Sequence, residues 1–293
     1  MLKGRLGLET ARIPQADRHG LLWLERGNLS VQDGTLHFVC AGNRDFPAGD
    51  YAIPFQMVNC ILLQPGTTVS HDALRILARH GTTLVVVGEA GVRFYASLPA
   101  GADRSARARA HARLWADESK RNDVARRMYA WRLGEILPAS EIAVLRGIEG
   151  ARMKETYKRL AEQFGLSWAG RRYDRSNPEG DDPINQAINH ASAAVRSLAD
   201  VAVAVTGAIP QLGFIHEDSA NAFCLDIADL YRDEVTLPLA FTAVRDARVS
   251  PNEPLDRLVR MRSRQVFSKR KLVVAMIEKI KELFGDSDDG GDA

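Results

Sequence analysis

The pattern of apolar and polar positions changes character near residue 97. Before it, apolar residues recur with the period of strands. In NLSVQDGTLHFV, Leu29 and Val31 alternate with polar neighbours, Asp33-Gly34 intervenes, and Leu36 and Phe38 resume the alternation. That is the pattern of a hairpin with a two-residue turn. YAIPFQMVNCILLQ predicts a further strand, with Pro54 placing it at an edge or a strand start. SHDALRILARHG predicts one helix, with Ser70 as N-cap, Leu74, Leu77 and Ala78 as its apolar face and Gly81 as its stop. TTLVVVG and VRFYA predict short strands.

Beyond SLPAGAD, whose Pro and Gly mark a linker, the period becomes helical. Residues 103–135 carry no breaker and predict an uninterrupted helical stretch. ARMKETYKRLAEQFG puts Met153, Tyr157, Leu160 and Phe164 on one stripe. PINQAINHASAAVRSLADVAVAVTG puts Ile184, Ile188, Ala191, Val195, Leu198, Ala202 and Val205 at helical spacing. The run from Pro254 to Gly285 suits one long helix or two. The expectation is an α+β chain with an N-terminal β-sandwich-like domain and a larger α-helical catalytic domain. The boundaries are 1–97 for the β domain, 98–103 for the linker, 104–284 for the helical domain and 285–293 for an acidic, disordered tail.

Composition adds a soluble globular class, with 45% hydrophobic and 26% charged residues. No apolar run is long enough for a bilayer, and the first fifteen residues lack the continuous apolar stretch of a secretory signal. Cys40, Cys60 and Cys224 are far apart and form no CxxC pair. A zinc ribbon or disulfide framework is therefore not expected, and a reducing cytoplasm is. The net charge of +2 conceals an acidic tail with Asp286, Asp288, Asp289 and Asp292; without those four acids the balance is 39 − 33 = +6. Residues 257–271 hold Arg257, Arg260, Arg262, Arg264, Lys269, Arg270 and Lys271 and no acid. Such a stripe suits a polyanion, and it equally suits a solvated helix face.

Candidate chemistry concentrates in three places. FCLDIADLY sets Asp226 and Asp229 three residues apart on an otherwise apolar segment. On a buried helix two such carboxylates must be paired, protonated or metal-bound; an arginine-bridged structural pair also satisfies the pattern. Glu149, in RGIEG, lies one turn before Met153 on the stripe expected to be covered. It equally suits a carboxylate at the N-terminus of its own helix. Gly147 and Gly150 beside it permit close backbone approach. His216 ends QLGFIH, which reads as a strand or extended stretch from Leu212 to Ile215, and can fold back on the aspartates or serve as an ordinary histidine. Carboxylates with one imidazole suit Mg²⁺ or Mn²⁺ better than Zn²⁺. Walker A, nucleophile-elbow and HExxH motifs are missing, which leaves nucleotide hydrolysis, serine hydrolysis and zincin chemistry without support.

The chain resembles the CRISPR-associated adaptation integrase, the endonuclease component common to most CRISPR systems, in its subtype I-E form. The resemblance rests on LQPGTTVSHDALR (63–75), VVVGEAGVRFYAS (85–97), LRGIEGARMKETY (145–157), GRRYD (170–174), INQ (184–186), GFIH (213–216) and LDIAD (225–229). It implies that Glu149, His216 and Asp229 are metal ligands for Mg²⁺ or Mn²⁺ and that Asp226 is a further catalytic acid. It also implies DNA contacts by Arg75 and Arg93 in the N-terminal domain and by Arg171, Arg172 and Tyr173 along the active-site groove. Arg146 and the helical Arg257, Arg260 and Arg264 are further expected DNA contacts.

The implied activity joins the 3′-hydroxyl of captured foreign DNA, the protospacer, to the leader–repeat boundary of the CRISPR array by transesterification. Cleavage of branched DNA is a related activity. The implied partners are double-stranded and branched DNA, a second copy of the chain in a homodimer, and a smaller ferredoxin-like adaptation protein, with no membrane. The sequence departs from relatives at Arg26, Thr68 and Arg196, positions concerned with DNA-end capture. A DNA-binding scaffold without chemistry is the competing expectation; it predicts salt-sensitive binding indifferent to chelators.

Overall fold

The computed structural model describes residues 20–43, 46–97, 105–135, 141–168, 170–171 and 182–285. The expected linker, the acidic tail from 286, and Arg172 and Tyr173 lie outside these. The described residues fall into two compact units, one within 20–88 with 95–97 and 105–106, the other within 89–94 and 107–285.

The first unit holds two four-stranded sheets. Strands β2 (Gly27–Gln32) and β3 (Thr35–Cys40) form the expected hairpin, in register Leu29↔Phe38 and Val31↔Leu36. Asp33 and Gly34 both take positive φ, 50° and 79°, which matches the turn to the twist of the strands. Strand β4 (Gly49–Ile53) pairs antiparallel with β3, and β6 (Thr67–Val69) pairs parallel with β2, so this sheet runs β4-β3-β2-β6. The other sheet runs β1-β5-β7-β8 from Leu21–Leu24, Cys60–Leu63, Thr83–Val87 and Phe94–Ser97. Its β1, β5 and β7 are parallel. YAIPFQMVNCILLQ is therefore not one strand. Pro54 lacks the N–H a ladder needs, and β4 ends before it as an edge strand while β5 begins in the other sheet.

Helix α1 (His71–His80) starts where Ser70 Oγ accepts the Ala73 N–H and stops at Gly81 in the left-handed region, φ 65°. It buries Ala73, Leu77 and His80, whereas Ala78, expected on the apolar face, is exposed. Leu24, Leu29, Phe38, Ile61, Leu63 and Leu84 close the core with Leu77.

The second unit is helical. Residues 105–133 form two helices, α2 (Ser105–Ala116) and α3 (Glu118–Leu133). The break falls at Asp117, whose carboxylate accepts the Lys120 N–H at 3.1 Å and so caps α3. Helix α4 (Ile142–Gln163) begins two turns before Glu149, which rules out the helix-start role for that carboxylate. Helix α5 (Pro183–Thr206) is the expected one, capped by Asp182 and ended by Gly207. It buries Ile184, Ile188, Ala191, Val195, Leu198, Ala202 and Val205 and packs against α6 (Ala222–Asp229), α7 (Leu237–Val249), α8 (Leu255–Arg270) and α9 (Leu272–Phe284). Lys271, φ 48°, separates α8 from α9. None of the helices among the described residues is long and apolar enough to cross a membrane. The three cysteines are buried and none of them is in a disulfide.

Candidate active site

Leu212–Ile215 is not a strand. It belongs to an irregular loop, 207–221, between α5 and α6. Its backbone donors need partners, and Asp226 supplies them. One carboxylate oxygen accepts the N–H of Phe214 at 2.6 Å and of Ile215 at 3.1 Å; the other accepts the His216 N–H at 3.0 Å. That second oxygen also meets His216 Nδ1 at 2.7 Å. Asp226 is 1% exposed. Its burial is thus matched by hydrogen bonds to a loop ten residues earlier, not by an arginine.

The loop is held from its other side by α2. His111 Nε2 donates to the Leu212 carbonyl at 2.7 Å, its Nδ1 accepts the Ile209 N–H at 3.1 Å, and Trp115 Nε1 donates to the Gly213 carbonyl at 2.9 Å. Burial lowers the His111 pKa to about 4 and keeps the ring neutral, which this donor-and-acceptor arrangement requires. Gly213 is the tightest point. A Cβ there would run into the His216 carbonyl oxygen and stand 2.8 Å from the Ala222 Cβ. By contrast, a Cβ at Gly147 or Gly150 meets nothing within 4 Å, so the close approach expected there does not occur.

These supports aim His216 into a cleft of about 510 Å³. Glu149 from α4, Asp229 from the end of α6, Asp226, and Tyr129 and Arg132 from α3 line the same cleft. With Nδ1 engaged by Asp226, His216 Nε2 faces Asp229 Oδ2 at 3.8 Å. The hydrogen bond to Asp226 raises the His216 pKa against the opposing effect of burial, and Asp229 adds to it. Burial and then the Glu149 charge push the Tyr129 phenol up to about 12.

Sequence reasoning did not single out Arg132. Its side chain is 4% exposed, and Nη1 lies 2.7 Å from Glu149 Oε1 and 3.9 Å from Asp229 Oδ2. Asp229 is also met by Arg232 at 3.3 Å, and Arg232 donates to the Tyr157 hydroxyl at 2.9 Å. The arginine-bridged alternative therefore describes Asp229 and not Asp226. Helical position held a signal for Arg132, since it continues the buried stripe of Val124, Ala125, Met128 and Tyr129 on α3.

Among the described residues, no three His, Cys, Asp or Glu side chains are gathered closely enough to hold an ion as they stand. Arg132 takes up the space between Glu149 and Asp229. The donor set still fits a hard divalent cation, with two partly exposed carboxylates and an imidazole whose far nitrogen is fixed by a carboxylate. Cys224 does not compete, since burial raises its thiol pKa strongly.

The expected DNA contacts among the described residues fall into three groups. Arg75 and Arg93 are exposed, with Arg75 paired to Asp72 at 3.2 Å. Arg146 lines the cleft and donates to the Ile215 carbonyl, and Arg171 donates to the Asn185 and Asn189 side chains. The stripe on α8 is largely neutralised by acids from outside 257–271. Arg257 pairs with Glu253, Arg260 with Asp256, Arg262 with Asp246, Arg264 with Glu89 and Arg270 with Glu234. A second hollow of about 370 Å³ adjoins the cleft through His216 and Asp229 and is lined by Arg171, Arg196 and Arg232.

A helical unit with an acidic cleft, a carboxylate-fixed histidine and flanking arginines, preceded by a two-sheet unit, defines a class that comparison identifies. The family model for CRISPR associated protein Cas1 matches residues 130–262. The CRISPR-associated endonuclease Cas1 of Escherichia coli (strain K12) is 40% identical over 272 residues, covering 92% of this chain and 86% of the relative. The crystal structure of a TtCas1-DNA complex matches with a TM-score of 0.82 at 33% identity, covering 92% of this chain and 97% of that one. A casposase bound to integration product, at 14% identity and a TM-score of 0.66, shares the fold. The chain belongs to the Cas1 family of CRISPR-associated endonucleases.

Proposed function

We propose that this chain is a metal-dependent DNA endonuclease and integrase of CRISPR adaptation, of the subtype I-E kind. It joins the 3′-hydroxyl of captured DNA to the leader–repeat boundary and also cleaves branched DNA. The single observation that carries the reading is the meeting of Glu149, His216 and Asp229 in one cleft, with His216 turned by Asp226 so that Nε2 faces Asp229.

In this reading Glu149, His216 and Asp229 hold Mg²⁺ or Mn²⁺. The ion supplies charge neutralisation at the phosphoryl oxygen and a lowered pKa for the attacking hydroxyl. The protein's own groups do the rest. Asp226 holds Nδ1 and so keeps the His216 Nε2 lone pair directed into the cleft. The loop carrying His216 is immobilised from both sides, which keeps the donor set from collapsing. Arg146, and Arg171 and Arg196 in the adjoining hollow, are the cations that hold the DNA backbone against the cleft. In the reaction the attacking 3′-oxygen forms one P–O bond and another P–O bond of the array breaks, the departing oxygen leaving as a new 3′-hydroxyl. Bond number is conserved, so no nucleotide is consumed.

The active form in this reading is a homodimer joined by a smaller ferredoxin-like adaptation protein. Glu149→Ala, His216→Ala and Asp229→Ala are expected each to abolish chelator-sensitive joining of a protospacer duplex to a leader–repeat substrate while leaving the fold intact. The scaffold alternative is favoured by the arginine pairing of Glu149 and Asp229; it predicts DNA binding unchanged by chelator and no joining by the unaltered protein.

A further inference from the structure

We infer that Arg132 is a positioning residue that acts as a built-in counter-cation, standing between Glu149 and Asp229 and setting the threshold at which a divalent ion enters the cleft. The inference rests on the metal-site reading above. It begins from how little this guanidinium is used. The side chain is 4% exposed and carries five N–H donors, yet its one close ion pair is with Glu149, at 2.7 Å. Its contacts to Asp229 and Asp233 are 3.9 Å and 4.0 Å, and Nη2 otherwise meets the Met153 thioether at 3.1 Å. Arg132 Nε and Asp233 Oδ1 are both buried without a hydrogen-bond partner.

A buried arginine that served only to cement the fold would be expected to saturate its fork with well-formed bonds, because each unpaired buried donor is costly. This one is central among three carboxylates and in close ion pair with one. That geometry neutralises acids that would otherwise repel one another, and it leaves the guanidinium able to exchange Glu149 for Asp233 when another cation arrives. Glu149 and Asp229 are thereby held near each other without an ion. The same positive charge opposes an incoming ion across a few ångströms in a partly dry cleft, where Coulomb repulsion is strong. Binding of the ion thus requires Nη1 to leave Glu149.

The test uses the purified full chain stripped of metal by chelator, without DNA. Free Mn²⁺ is titrated and read by its electron paramagnetic resonance signal. Arg132→Gln is expected to tighten Mn²⁺ binding at least about tenfold, to melt earlier without metal, and to gain more melting temperature from Mn²⁺ than the unaltered protein does. Arg132→Lys, which keeps the charge, is expected to stay within about threefold of the unaltered protein. A folded Arg132→Gln protein that binds Mn²⁺ no more tightly than the unaltered one overturns the inference, because loss of a merely structural arginine leaves affinity unchanged or weakened.

If Arg132→Gln does not fold, the unaltered protein decides. The Arg132 Nε–H nitrogen resonance, assigned by its loss in Arg132→Lys, is expected to move on Mg²⁺ addition, and an unmoved resonance overturns the inference. Glu149→Gln separates the two readings. If Mn²⁺ binding by the unaltered protein is insensitive to Glu149→Gln, the metal site and this inference both fall. If binding needs Glu149 but ignores Arg132, only this inference falls.

Discussion

Asp226 holds His216 twice, through the backbone N–H at 3.0 Å and through ring Nδ1 at 2.7 Å, and with its other oxygen it holds the two residues before. An aspartate that the spacing pairs with Asp229 as a second cleft acid is thus buried at the cleft wall and organises the loop. Asp226→Asn replaces one acceptor oxygen by an NH₂ group that confronts N–H donors. It is expected to lower stability by ~2–4 kcal/mol and to cut DNA joining about a hundredfold. Chemical denaturation together with a joining assay checks both.

Gly213 and Gly147 predict opposite signs for the same substitution. Gly213→Ala forces a methyl group onto the His216 carbonyl and Ala222, so it is expected to cost ~2–4 kcal/mol and to displace His216. Gly147→Ala sits inside α4 with open space around it and is expected to stabilise by ~0.5–1 kcal/mol. Melting curves of the two variants, side by side, separate a steric role from a helix-propensity effect.

His111 gives the helical unit a pH dependence. Its pKa is about 4 in the folded chain and 6.5 as the ordinary value. The unfolded chain therefore binds a proton between pH 6.5 and 4 that the folded chain refuses. The advantage of the folded state is full above pH 6.5 and is lost as pH falls towards 4, by up to ~3 kcal/mol. His111→Gln is expected to flatten this part of the stability profile. Denaturant midpoints from pH 7 to pH 4.5 measure it; parallel profiles for the two proteins are the contrary result.

Neutralisation of the α8 stripe bears on DNA binding. Arg257, Arg260 and Arg264 already face Glu253, Asp256 and Glu89, so their removal is expected to change affinity for a duplex less than about threefold each. Removal of Arg146, which lines the cleft, is expected to weaken binding about tenfold and to reduce the salt slope by about one. Fluorescence anisotropy over a salt series distinguishes them.

What the sequence made legible was local. The Asp33-Gly34 turn, the Ser70 and Gly81 caps and the α5 stripe depend on neighbours within a turn or a hairpin, and they stand as read. Pro54 signalled an edge, but the transfer of the next strand to another sheet depends on parallel pairing with β1, which no short pattern encodes. Asp117 is a lone capping residue in an Ala- and Arg-rich run, and its break is visible only once α3 has somewhere to pack. At the site, Glu149, His216, Asp226 and Asp229 were all singled out, yet their division of labour was not legible. Asp226 differs from Asp229 only through a loop fold stabilised by His111 and Trp115 about a hundred residues earlier in the chain. Arg132 was hidden because a helical arginine ordinarily faces water.

The most direct measurement is a crystal structure of the chain soaked with Mn²⁺, the ion located by its anomalous scattering. The expected result is one ion within ~2.0–2.3 Å of a Glu149 oxygen, His216 Nε2 and an Asp229 oxygen, with the Arg132 guanidinium withdrawn from Glu149. An ion bound elsewhere, with Glu149 still on Arg132 and His216 still bare, contradicts the account.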